Sequence, residues 1–278
     1  MVLSDTAYRI LTLRRDVATF KTSDGLTLAY HIDDFTDPWR PAPTLILKHA
    51  AMGSMRRMYA WVPILARHMR VVRMDMRGHG STEIPPQDGL TLDRLAQDVV
   101  ELMDEVGVES AHVAGSSAGG IIAMWTALTR PDRVKTLAAY ATIPGLKMSA
   151  GHTDYQAWID GMRGEGVASF LTRTAATRFD VASLEPGFLE WFVGEAARND
   201  VEMLVRMVTL MSGTDFHERM PEIRCPSLMI VPGGDPNQSP DEYDCLKNIP
   251  DCTFKVYDGL SKEIFNQLPQ DREIVRRE

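Results

Sequence analysis

Two short stretches in which apolar and polar residues alternate lie on either side of Asp24-Gly25. Asp-Gly readily takes the positive φ angles of a tight turn, so residues 17–33 predict a β-hairpin. After a loop rich in proline and aspartate, residues 44–48 form an apolar run of strand length and residues 71–75 a second. A helical spacing from Met58 to His68 lies between them, and strand, helix, strand in that order implies parallel strands joined by a crossover. The alternation continues with a helix over 92–106, a strand over 110–114, a helix from Ala118 to Leu128 that stops ahead of Pro131, and a strand over 134–140. Between Pro144 and Met220 the strand pattern vanishes and helical patches rich in Trp, Phe and Met replace it, at 155–162 and 188–211. Strand pattern returns at 227–231 and 253–257, and a short final helix is expected to close the chain. The expectation is an α/β protein with a mostly parallel, doubly wound sheet. Residues 1–143 and 221–278 would form its core, and 144–220 a helical lid.

The bulk properties narrow the function classes. A chain of 278 residues, 44% hydrophobic and 24% charged, has the composition of a soluble globular protein, without repeats or low-complexity tracts. Its formal charge of −8 and its scattered basic pairs argue against nucleic-acid and anionic-membrane partners. No segment approaches the roughly 20 apolar residues of a membrane span, and the first residues lack a basic start followed by an apolar run, so a cytoplasmic location is expected. Cys225, Cys245 and Cys252 make an odd count without CxxC spacing, which points to free thiols rather than to disulfides or zinc. No cofactor is expected: the chain has neither a phosphate-binding glycine loop nor a metal-ligand cluster.

The strongest chemical signal is Gly115-Ser116-Ser117-Ala118-Gly119, a G-x-S-x-G between a predicted strand and a predicted helix. Glycines two residues to either side let the chain turn sharply, so that the central hydroxyl projects above the sheet with a helix N-terminus beneath it. Ser117 is therefore the candidate nucleophile; Ser116 lacks a glycine two residues ahead. With this motif the chain resembles the α/β-hydrolase fold superfamily of esterases, lactonases, amidases and C–C hydrolases, and the likeness covers nearly its whole length. Lys48-His49-Ala50-Ala51-Met52-Gly53 is similar to the family's oxyanion loop, with Ala50 where a glycine is usual, and Asp75-Met76-Arg77-Gly78-His79-Gly80-Ser81 to its D-x-R-G-x-G-x-S turn. The resemblance implies an oxyanion hole made by the backbone N–H groups of Ala51 and Ala118, and a loop-organising role for His49 and His79.

The same resemblance assigns the acid to Asp235, in Ile230-Val231-Pro232-Gly233-Gly234-Asp235-Pro236. The alternative acid position after the preceding strand holds Ala141-Thr142-Ile143-Pro144, without a carboxylate. The histidine should follow the last strand, where the chain reads Gly259-Leu260-Ser261-Lys262-Glu263. All seven histidines precede Asp235, so the order Ser, Asp, His cannot be completed and Lys262 stands at the histidine position. A lysine is almost wholly protonated at neutral pH and an adjacent carboxylate favours that form, so it is a poor base by default. Glu263 reads as a surface carboxylate, and His152 and His217 as residues of the lid.

Tyr155, Trp158, Trp191 and Met207 are candidate pocket residues over Ser117, together with His49, and Arg56 or its neighbour Arg57 is placed to receive a substrate carboxylate. Three readings follow. The first is a serine hydrolase of a small ester, amide or lactone with an apolar body, impaired by Lys262. The second is a lyase or cyclase that uses Lys262 as a cation, and the third a binding protein that kept the pocket and lost the chemistry. Oligomeric state is not encoded in any recognisable pattern.

Overall fold

The computed structural model describes residues 17–151, 153–235, 238 and 240–263. Eight strands form one sheet: β1 (Ala18–Lys21), β2 (Thr27–Asp33), β3 (Thr44–Lys48), β4 (Arg70–Met74), β5 (Ala111–Ser116), β6 (Val134–Tyr140), β7 (Ser227–Pro232) and β8 (Cys252–Tyr257), in the order β1-β2-β4-β3-β5-β6-β7-β8. β2 runs antiparallel to β1 and β4, and every pair from β4 to β8 is parallel. The predicted hairpin is present, with Gly25 at φ 86° in its turn. All five residues of β3 are buried, as expected of a central parallel strand covered on both faces.

The helices are α1 (Val62–Leu65), α2 (Leu92–Glu105), α3 (Ala118–Thr129), α4 (Tyr155–Arg173), α5 (Phe188–Ala196) and α6 (Val201–Gly213). Thr91 caps α2 by accepting a hydrogen bond from Arg94 N at 3.1 Å, and the helix buries Leu95, Val99, Leu102 and Met103 against the sheet. α3 is apolar on nearly every side because it packs on β5 and β6 along one flank and on α2 along the other.

Two helical expectations are corrected. The 58–68 spacing forms a 3₁₀ turn (Met55–Met58) and the four-residue α1, which starts at Trp61-Val62-Pro63. The 188–211 patch is two helices, because the Asp200 side chain leaves helical geometry and accepts from Met203 N at 2.9 Å to start α6 afresh. The predicted final helix lies outside the described residues.

Between β6 and β7 the chain is helical, as the lost strand pattern predicts. Tyr155, Ile159, Met162, Phe170, Leu204 and Val208 form a cluster of their own with Met52. Met203, Met207 and Met211, spaced four apart along α6, belong instead to the core under the sheet. α6 is thus the seam between the sheet and this helical segment.

Candidate active site

β5 ends at Ser116 and α3 begins at Ala118, so Ser117 alone makes the turn, at φ 52°, ψ −120°. A non-glycine residue in such a conformation costs about 1–3 kcal/mol and persists only where its surroundings over-determine it. They do so here. Ser117 N donates to Tyr140 O at 3.0 Å, and the Thr142 hydroxyl lies 2.8 Å from Tyr140 O and 3.2 Å from Ser117 O. A side chain at Gly115 would meet the backbone of Gly119 at 2.3 Å, and one at Gly119 would meet Lys48 O at 2.4 Å. Only glycine lets the elbow close against the end of β3, which carries the oxyanion loop.

That loop is anchored from behind. His49 is fully buried; its Nδ1 lies 2.8 Å from Ala50 O and its Nε2 accepts from Met76 N at 3.0 Å, which fixes a neutral tautomer with the proton on Nδ1. Burial, reinforced by the neighbouring His79, pushes its pKa well below the usual imidazole range. His79 bridges Arg77 O (2.8 Å) and Ala51 O (2.7 Å), tying the loop to the D-x-R-G turn, and burial lowers its pKa too. Both imidazoles bond backbone atoms of the loop and the turn. Asp75 accepts from Met55 N at 2.6 Å and Ser81 N at 2.9 Å. Arg77, with no exposed side-chain surface, forks onto Asp98 (2.6 and 2.8 Å) and Asp24 (2.6 and 2.8 Å). Although burial opposes its charge, these two carboxylates hold Arg77 firmly protonated.

On the other side of Ser117, the Asp235 side chain is 1% exposed. Its Oδ2 accepts from Tyr243 Oη at 2.8 Å and lies 3.6 Å from Lys262 Nζ. Lys262 Nζ also donates to Gln238 Oε1 at 3.2 Å, and Tyr243 Oη contacts the same oxygen closely. Burial, and then Asp235, raise the Tyr243 pKa well above the usual phenol value, so Tyr243 stays a donor. Lys262 Nζ therefore lies beside the Asp235 side chain, at the position where the sequence reading expects a histidine. Sequence reasoning overlooked Tyr243 and Gln238, which follow Asp235 by eight and three residues in no recognisable motif.

A small pocket opens above Ser117 and brings together Ser117, Ala51, Ala118, Tyr155, Trp158 and Lys262. Among the described residues, neither Ala51 N nor Ala118 N donates to a turn or loop carbonyl, so both remain available as oxyanion donors. Four other expected pocket residues lie elsewhere. His49 sits behind the loop, and Met207 is in the sheet core. Arg56, whose side chain is 62% exposed, pairs with Glu195 at 3.0 Å and shares a separate surface groove with Trp191. Its neighbour Arg57 points the other way, into the Ser117 pocket, where Arg178 and Glu263 join it. Glu263 is 9% exposed, a correction to its reading as a solvated surface carboxylate. His152 lies outside the described residues. His217 is partly exposed and 2.8 Å from Asp215, away from the pocket. Among the described residues no His, Cys, Asp and Glu cluster could hold a metal, and no helix is long and apolar enough to cross a membrane.

Comparison with known proteins agrees with this geometry. The chain is 24% identical over 224 residues to 3-oxoadipate enol-lactonase 1 of Acinetobacter baylyi, covering 78% of this chain and 81% of that protein. The crystal structure of a hydrolase from Pseudomonas aeruginosa superposes with a TM-score of 0.82 at 27% identity, covering 94% of this chain and 97% of the other. The enol-lactonase from Burkholderia xenovorans has the same fold, with a TM-score of 0.81 at 22% identity over 94% of this chain and all of that one. Residues 43–185, which include the oxyanion loop and the elbow, match the alpha/beta hydrolase fold family, and the chain belongs to that family as an α/β hydrolase.

Proposed function

We propose that the chain is a serine hydrolase of small esters, amides or lactones with an apolar body, slowed by the lysine at its histidine position. The observation that carries this reading is the left-handed Ser117 at the N-terminus of α3, facing a pocket whose wall includes Ala51 and Ala118. Ser117 Oγ would attack the carbonyl carbon, and the Ala51 and Ala118 N–H groups would take the charge that develops on the carbonyl oxygen. Donors of this kind are each worth about 3–4 kcal/mol of barrier.

Attack also requires an acceptor for the serine proton, and an ammonium group beside Asp235 has no lone pair to offer. Catalysis then rests on the oxyanion donors and on positioning, about 10³–10⁴ over water. The enol-lactonase relative supports a lactone or ester substrate. The helical segment over the pocket, with Tyr155 and Trp158 in its wall, serves in this reading as a lid that selects the substrate's apolar part. The three free cysteines fit a reducing, cytoplasmic setting.

The test compares initial rates on a panel of activated esters for the unsubstituted chain, Lys262→His and Ser117→Ala. A rate increase of about a hundredfold or more for Lys262→His is expected, since a positioned general base contributes about 10²–10⁴. No increase, with the unsubstituted chain well above Ser117→Ala, would make Lys262 itself the base. Silence from all three would reject hydrolysis in favour of a lyase or a binding protein.

A further inference from the structure

We propose that Arg57 and Arg178 form a carboxylate subsite in the Ser117 pocket, so that the ligand is an acid as well as a carbonyl compound. Half-esters and lactone acids have the required chemistry. The term substrate rests on the hydrolase reading above; the subsite does not.

Arg57 is 3% and Arg178 4% exposed, and both line the pocket. Buried charges persist when they are paired and their N–H groups are satisfied, and these two are satisfied only in part. Arg57 donates from Nη2 to Phe192 O at 2.6 Å and its guanidinium lies 3.4 Å from the centre of the Phe192 ring, while its Nε has no acceptor among the described residues. Arg178 donates from Nη1 to Thr174 O at 3.0 Å and Thr174 Oγ1 at 2.7 Å and lies 4.9 Å from the Trp158 ring centre, while its Nη2 has no acceptor among the described residues. The aromatic faces fix the planes of both guanidiniums without using their edges.

Nearby carboxylates act on both arginines, and two of them are also engaged by other cations. Glu263 acts on both arginines. Glu195 also acts on Arg57 but is held by Arg56, and Asp235 also acts on Arg178 but is held by Lys262. Burial lowers the Arg57 pKa only to about 10, so it remains a cation at neutral pH. One ligand carboxylate supplies two acceptor oxygens for the unsatisfied Arg57 Nε and Arg178 Nη2, the arrangement that guanidinium groups recognise best.

The experiment is calorimetric titration of the full chain carrying Ser117→Ala. The probes are the monomethyl esters of butanedioic, pentanedioic and hexanedioic acids, each set against its dimethyl ester. At least one half-ester should bind about tenfold or more tightly than its diester, the scale of a charge-assisted hydrogen bond. Arg57→Met and Arg178→Met should each remove that preference while leaving diester affinity within about threefold, and Glu263→Gln should tighten half-ester binding. Equal binding of half-ester and diester, or binding of neither, overturns the subsite. If an arginine variant fails to fold, the half-ester to diester ratio of the Ser117→Ala chain and its response to Glu263→Gln decide alone. Turnover by the unsubstituted chain separates the two readings. A half-ester preference without turnover keeps the subsite and rejects the hydrolase, and turnover without preference does the reverse.

Discussion

The two flanks of Ser117 are built from different materials. On the β3 and β5 side the groups proposed to work are main-chain atoms: the positive-φ turn at Ser117 and the N–H groups of Ala51 and Ala118. They are positioned by glycine contacts, by carbonyls bonded to His79 and Thr142, and by the buried Arg77 cluster beneath. On the β7 and β8 side the working groups are side chains, with Asp235, Gln238, Tyr243 and Lys262 meeting at the ends of two loops. A device made of backbone survives replacement of most single side chains, whereas a device made of side chains is changed by one. On the reading proposed above, that difference would let a chain keep its elbow and oxyanion donors while carrying Lys262 where a histidine is expected.

The contrast can be broken by perturbing each flank. Arg77→Ala should have the largest effect, because it strands the Asp98 carboxylate, 1% exposed, without its main partner. A loss of about 3–5 kcal/mol in urea unfolding is expected for such a change, and a loss below about 1 kcal/mol would mean the elbow does not depend on the cluster. Acid should act next, through the same flank. His49 and His79 both have folded pKa values below the ordinary 6.5. The unfolded chain therefore binds more protons below that pH, and stability falls as pH falls. Between pH 6.5 and 5.5 His49, whose Nε2 accepts a hydrogen bond, should cost about 1 kcal/mol, read from urea midpoints; a flat profile would show that this imidazole is not held neutral. Tyr243→Phe should have the smallest effect. It removes one hydrogen bond to Asp235, worth about 1 kcal/mol, from the side-chain flank. A larger loss than that for Arg77→Ala would invert the comparison.

The same division sets what the sequence reveals. The strand-to-helix turn at Ser117 and the strands over 44–48 and 134–140 are legible because each is specified by adjacent residues: a glycine pair around a serine, or an apolar run of strand length. The sequence leaves Arg56 and Arg57 undistinguished, whereas in the fold the two are neighbours in a 3₁₀ turn and diverge by roughly 120°, so one meets solvent and the other the pocket. Arg178 and Glu263 come from distant segments and carry no motif; only the fold brings them to Arg57. Met207 shows the limit of periodicity. The four-residue spacing of Met203, Met207 and Met211 identifies one face of a helix but not what covers it, and that face turns to the sheet core, with Met211 alone reaching the pocket.

One feature of the helical segment bears on how specificity can change over evolutionary time. α4 is interrupted at Gly166 (φ 81°), where a side chain would meet open space. Tyr155 and Trp158 lie on one side of this break and Leu171 on the other, and all three contribute to the pocket wall. The wall is therefore mounted on two short rods with a joint between them. A residue gained, lost or exchanged at the joint re-aims one rod relative to the other while the sheet, the elbow and the oxyanion loop stay as they are. Space at the joint is open but its positive φ favours glycine, so the angle between the rods is set by the backbone of this one residue.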